Sequence, residues 1–268
     1  MAFGQPTSNR KKIPTGINGL DEALFGGFPQ GTVCIVSGGP GCGKTLIGAE
    51  FLHYGITEED EPGIYVSLGE SKEEFYANTI PFGWDFAELE QKNKFRFVDF
   101  SFDKLVNIWT PRNAKEFDLP EYANLDGLSV EEQTYLMMMQ NFVNTLIDTV
   151  QSLGAKRIVM DPISSLRLIF PTEFISRREL LRIFTVLREL NTTTLVCSEL
   201  PQTEGFSLEE FVGTGVIRVS YNKASGALQM NRNLVIYKMR GTAFNEKMLA
   251  MRITSSGIEI LGESLGFS

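Results

Sequence analysis

Gly38-Gly39-Pro40-Gly41-Cys42-Gly43-Lys44-Thr45 is the stretch that decides the fold. It fits the phosphate-binding pattern G-x-x-x-x-G-K-[ST] without a gap. The apolar, β-rich run Thr32-Val33-Cys34-Ile35-Val36 leads into it, and Leu46-Ile47-Gly48-Ala49-Glu50-Phe51-Leu52 leads out with helical character. Strand, loop and helix in that order set an α/β nucleotide-binding architecture against the plainer reading of a glycine-rich turn followed by a chance Lys-Thr.

A triphosphate needs many donors close together. Glycines let successive backbone N–H groups turn inward where a Cβ would clash, so Gly39, Pro40, Gly41, Cys42 and Gly43 read as a phosphate cradle backed by the positive end of the next helix. Lys44 is placed to reach the β- and γ-phosphates, and the Thr45 hydroxyl is of the right kind to ligate Mg²⁺. Far downstream, Arg157-Ile158-Val159-Met160-Asp161 is an apolar strand ending in a carboxylate. Alone that ending is as good a turn former; after a complete phosphate loop it predicts a second Mg²⁺ ligand, Asp161, often acting through water.

A chain of 268 residues, 43% hydrophobic and 22% charged, is large enough for one sizeable α/β domain. No apolar run approaches the roughly 18–20 residues that span a bilayer, and Met1-Ala2-Phe3-Gly4-Gln5-Pro6 lacks a signal-peptide core, so a cytoplasmic location is expected and no membrane partner. The net charge of −8 disfavours nucleic acid as a partner, although a local basic channel would be hidden in that total. Cys34, Cys42 and Cys197 show neither disulfide nor metal spacing, and the single histidine, His53, reads as a packing or surface residue.

Residues 1–12, ending in Arg10-Lys11-Lys12, read as a flexible tail; 13–262 form the domain and 263–268 a second tail. The segment from Ile13 to Gly31 carries Thr15-Gly16-Ile17, Leu20-Asp21 and Gly26-Gly27-Phe28-Pro29-Gln30-Gly31. Together with the phosphate loop it resembles the RecA-like ATPases of the KaiC and archaeal RadA group, and more closely the single-domain KaiC-like proteins. The resemblance implies a RecA-like P-loop NTPase fold, a mostly parallel sheet flanked by helices, with ATP and Mg²⁺ bound between the subunits of a homohexameric ring.

Thr57-Glu58-Glu59-Asp60-Glu61-Pro62 reads as a solvated turn before the strand Gly63–Leu68, which runs into Gly69-Glu70. In the resembling family a carboxylate here, the first of a Glu-Glu pair, orients the attacking water. This chain has Gly69 in that place and Glu70 in the second, so Glu70 is either the water-orienting group or a helix-start carboxylate without chemistry. Slow turnover is the expectation. Thr193–Glu199 is another core strand, whose end in the family senses the γ-phosphate; Ser198 and Glu199 are the candidates, with a plain strand end as the alternative.

Residues 101–128 show no clear period and read as a partner-facing excursion or as short elements that pattern alone does not reveal. Ser129-Val130-Glu131-Glu132 is a capping box opening a long helix, and Thr172–Leu190 is a helix whose Arg177, Arg178, Arg182 and Arg188 suit a solvated or intersubunit face. Strands at Val216–Tyr221, Leu234–Arg240, Leu249–Thr254 and Gly257–Leu261 predict an antiparallel extension of the sheet. The two-residue period puts Lys238 and Arg240 on one side, and by the residues alone they also read as a surface pair. In the KaiC-like family Lys-x-Arg-Gly at this place faces the nucleotide of the neighbouring subunit, while the histidine that usually follows is Phe244 here. Three alternatives to a slow ATPase stay open: an ATP-gated scaffold that scarcely hydrolyses, which Gly69 favours; a recombinase-like DNA-repair paralogue; and an autokinase, disfavoured because Glu210-Phe211 correspond here to the Ser-Thr pair that autokinases of the resembling family phosphorylate.

Overall fold

The computed structural model describes residues 10–101, 129–168, 170, 172–200, 205–223 and 230–263; the predicted excursion beyond Ser101 and most of both tails lie outside these. A two-residue strand β1 (Lys12–Ile13) pairs with β2 (Phe28–Pro29) around a short helix α1 (Leu20–Ala23). The main sheet follows. Its strands are β3 (Val33–Gly38), β4 (Gly63–Ser67), β5 (Phe95–Asp99), β6 (Arg157–Asp161), β7 (Thr193–Glu199), β8 (Gly215–Lys223), β9 (Met230–Met239), β10 (Leu249–Thr254) and β11 (Gly257–Glu263). Their spatial order is β11-β10-β9-β8-β3-β7-β6-β4-β5.

The strands from β8 to β5 in that order are parallel, and β9 to β11 add an antiparallel edge. The expected extension is present, with one adjustment: β8, read as its first strand, pairs in parallel with β3 and closes the parallel part. Parallel strands are covered on both faces, which is why their sequences are nearly continuous apolar runs.

Alternation divides the core. Cys34, Val36, Tyr65, Val159, Leu195 and Cys197 face the phosphate-loop helix α2 (Lys44–Thr57), α3 (Lys72–Thr79) and α4 (Phe86–Gln91). Val33, Ile35, Ile64, Val66, Ile158, Met160 and Val196 face the helices Val130–Leu153 and Glu173–Glu189. The capping box at Ser129 is formed as predicted, with Ser129 and Glu132 exchanging side-chain and backbone bonds; such a cap is worth about 1 kcal/mol.

Two charged stretches are more tightly held than their composition suggests. Lys12, expected in a free tail, donates Nζ to the carbonyls of Leu24 and Gly27 and to the Thr242 hydroxyl. Glu61, expected in a solvated turn, pairs with the fully buried Arg157 at 2.8 Å. The same guanidinium donates to the carbonyls of Pro14 and Phe51 and lies over the Phe51 ring, so it ties the amino-terminal segment, α2 and β6 together. In the arginine-bearing helix, Arg178 and Arg182 both bond the buried Glu179.

Helix α2 is also fastened to the antiparallel edge. Buried Glu50 accepts a 2.8 Å hydrogen bond from the Ile258 N–H, and burial pushes its carboxyl up to about 7. A carboxyl raised in the folded state stabilises below its unfolded value near 4.5, and that contribution is lost as pH rises through about 7. Glu50→Gln keeps an acceptor for Ile258 and removes the ionisation, so at pH 8 it should stabilise the fold by about 3 kcal/mol, and by little at pH 4.5. Denaturant titrations at the two pH values measure this; equal effects at both would contradict it.

Candidate nucleotide site

The carboxyl ends of β3, β7, β6 and β4 lie side by side, and the side chains that carry chemistry gather there. Strand register sets Ser67 of β4 against Asp161 of β6, and the loop after β3 leads directly into α2. Gly41 and Gly43 adopt positive φ of 70° and 106°, a turn that L side chains resist. No described atom lies within 4 Å of where a Cβ would sit at Gly39 or Gly41, so open space lies beside the loop at both glycines. Lys44 donates Nζ to the carbonyls of Gly38 at 2.9 Å and Gly39 at 3.0 Å, which holds its ammonium across the mouth of the loop.

Thr45 donates its hydroxyl to Asp161 Oδ2 at 2.6 Å, joining the two residues predicted to share a magnesium ion. The Cys197 thiol also reaches Asp161, and burial is the main force pushing the Asp161 carboxyl upward, against Thr45, Tyr65 and Lys44. Glu70 turns inward to the same place. The helix start belongs to Ser71, whose capping box with Glu74 is complete, so Glu70 is not the capping carboxylate. Its side chain accepts from the Tyr65 hydroxyl at 2.8 Å; burial chiefly, with Asp161 nearby, raises its carboxyl above the usual range. Ser67 fixes the turn, donating to the Glu70 carbonyl and accepting from the Gly69 and Glu70 N–H groups.

Other expected positions separate. The two-residue period along β7 sets Glu199 on the face of Cys197 and α2, and the buried Ser198 on the opposite one; of the two sensor candidates only Glu199 shares the loop's side. Lys238 and Arg240 do not join their own phosphate loop. The Arg240 N–H bonds Thr214 O, and Thr214 lies level with Val33, five residues before Gly38, or roughly 16 Å away along the strand. Lys238 donates Nζ to the carbonyls of Glu210 and Phe211, ending the short helix Leu208–Val212, while Arg240 is exposed at the amino edge of the sheet. Glu210 is itself buried and bonded to Ser37 and, through two bonds, to Arg218. His53 stacks against Trp84 at 5.9 Å, the packing role expected of it.

The sequence reasoning missed Arg232. It lies on the part of β9 that runs beside the loop, stacks over Tyr221 and donates to the Gly41 carbonyl at 3.2 Å. Its Nε is buried with no partner among the described residues. The signal was faint, since Arg232 differs from the other strand arginines only in a register that pattern does not reveal.

These groups fit a magnesium-bound nucleoside triphosphate. The open glycine cradle, the Lys44 ammonium and the orphaned Arg232 Nε suit phosphate oxygens, and the oxygens of Thr45 and Asp161 suit a hard cation. Fold and site together define a RecA-like P-loop NTPase.

The comparisons with known proteins narrow that class. The family description "ATPase: KaiC" matches residues 13–264, and the chain belongs to that family. It is 32% identical over 254 residues to a UPF0273 protein of Aeropyrum pernix, covering 92% of each chain. It is 30% identical to the circadian clock oscillator protein KaiC of Parasynechococcus marenigrum, where 97% of this chain covers 46% of that protein. Among solved structures, a KaiC-like protein from Pyrococcus horikoshii aligns with a TM-score of 0.75 and 30% identity, over 94% of this chain and 99% of that one. Among the described residues no helix is long and apolar enough to cross a membrane.

Proposed function

We propose that the protein is a slow cytoplasmic ATPase that binds MgATP between the subunits of a homohexamer and uses its hydrolysis to drive assembly or signalling. The observation that carries this reading is the convergence of Lys44, Thr45, Asp161 and Glu70 at the mouth of an open phosphate loop, with Glu70 turned inward rather than spent on the helix cap. Bound Mg²⁺ supplies charge neutralisation at the phosphates. Lys44 and the loop N–H groups bind and orient the β- and γ-phosphoryl groups, Thr45 and Asp161 hold the metal, and Glu70 orients the attacking water or takes its proton. Its raised carboxyl makes it a stronger base than an exposed glutamate. Lys238 and Arg240, remote from their own loop, serve the site of the next subunit.

The test is phosphate release from MgATP across a range of protein concentrations, with Lys44→Ala as the blank. A rate per subunit that climbs with concentration and disappears in the variant supports a site completed by its neighbour. Release equal to the blank removes the hydrolysis reading. One observation favours a second reading: Gly69 occupies the place of the family's first carboxylate, and an ATP-gated scaffold would bind nucleotide, assemble, and release no phosphate.

A further inference from the structure

Tyr65 sits where the candidate catalytic carboxylate and the candidate metal-holding carboxylate meet, and nothing in the hydrolysis scheme above uses it. The side chain is fully buried on β4, its ring held 4.1 Å from Phe75 and 5.6 Å from Phe97. Only the hydroxyl reaches the site, lying 2.8 Å from Glu70 Oε1 and 3.1 Å from Asp161 Oδ2. A phenol carries one proton and can donate to one acceptor at a time. Asp161 Oδ2 already receives the Thr45 hydroxyl at 2.6 Å, whereas the other partner found for Glu70 is Asn78, on the exposed side of α3.

We propose that Tyr65 is a positioning residue that holds the Glu70 carboxylate beside Asp161, and that its hydroxyl commits its hydrogen bond to Glu70 when a cation takes up Asp161. The inference rests on the hydrolysis reading for its consequence and on hydrogen-bond geometry for its substance. A rigid aromatic wall fixes the phenol oxygen, and a fixed donor between two acceptors answers the loss of one by committing to the other. Metal occupancy at Asp161 is thereby passed to the orientation of Glu70 across a single oxygen atom. Phenylalanine at this position keeps the ring packing and removes only the hydroxyl, so the variant tests the hydrogen bond rather than the fold.

The experiment compares wild type, Tyr65→Phe, Glu70→Gln and the double variant. Three readouts are taken: phosphate release, affinity for MgATP by calorimetry, and the crystal structure of nucleotide-free Tyr65→Phe. Tyr65→Phe should lower kcat about 10-fold while the calorimetric affinity stays within about twofold, because the loss is one of orientation. In the Glu70→Gln background the same substitution should change kcat by less than about twofold, since a residue acting through Glu70 has nothing left to position. The Glu70 carboxylate should swing away from Asp161 in the variant crystal. An additive loss in the double variant, or a Glu70 carboxylate unmoved in the crystal, overturns the assignment. Wild-type release no higher than the Lys44→Ala blank would instead remove the hydrolysis reading, and the crystal structure would still decide whether Tyr65 holds Glu70.

Discussion

Replacing Arg240 with alanine should cut phosphate release by about 10³-fold while leaving ATP bound to the same chain with unchanged affinity. The separation follows from topology. Strand β9 runs antiparallel to β8, and β8 is parallel to β3, so the carboxyl end of β9 arrives at the edge of the sheet opposite the phosphate loop. Arg240 stands at that edge with its guanidinium exposed and in no hydrogen bond or ion pair among the described residues. A guanidinium so placed has no structural duty to lose, and the same exposure makes the variant neutral to stability, within about 0.5 kcal/mol. Mixing the inactive Lys44→Ala and Arg240→Ala chains distinguishes a shared site from a local one. By random assembly about a quarter of the interfaces would then join an intact loop to an intact Arg240, and activity should return in that proportion. A mixture as inactive as its parts, or an Arg240→Ala protein as active as wild type, would sink the trans reading.

Lys238 prepares this arrangement differently. Its ammonium is occupied by the carbonyls of Glu210 and Phe211, whereas the Arg240 guanidinium has no such acceptor among the described residues, so the two cations that share a side by strand period do not share a state. Period fixes which face a residue occupies; it says nothing about what already stands on that face. The same distinction separates what was legible in the sequence from what was not. The phosphate loop, its helix and the Asp161 strand were readable because local pattern and local chemistry coincide there. The parallel core was readable from unbroken apolar runs such as Val33–Val36 and Ile158–Met160.

What stayed hidden depends on contacts between distant segments. Glu61 and Arg157 are 96 residues apart and meet only because β4 and β6 pair, so an acidic run that looks solvated supplies the partner of a buried arginine. Lys12 belongs to a polar stretch by composition, yet β1 pairing with β2 brings its ammonium against three acceptors. Tyr65 looked like any aromatic in a buried strand; its hydroxyl became part of the site because Asp161 and the turn at Glu70 converge on it. Arg232 needed the β8–β9 register, shifted by an irregularity between Val216 and Ile217, before its place over the loop was fixed.

The second large effect concerns the residue this chain lacks. Gly69→Glu should raise the rate of phosphate release about 10- to 10²-fold, since a positioned general base typically contributes 10²–10⁴-fold and, in the proposed scheme, Glu70 already supplies part of that. The position accepts a side chain. Gly69 does not have the positive φ of the loop glycines, and among the described residues a Cβ there would meet only the Pro162 ring at 3.5 Å, an ordinary contact. No strain or overpacking therefore accounts for a glycine two residues past the end of β4, and its effect is on the charge of the site. A further carboxylate beside Glu70 and Asp161 adds like-charge repulsion, which disfavours ionisation of the group and raises the pH at which activity appears. The substitution should thus shift the rising limb of the pH–rate profile upward as it lifts the plateau. Gly69→Gln, equal in size without the charge, separates the two contributions: it should leave the rate within about twofold of wild type. A Gly69→Glu protein no faster than wild type would mean that Glu70 alone meets the demand for a base, and that the slow step lies outside the chemistry, as in the exchange of nucleotide.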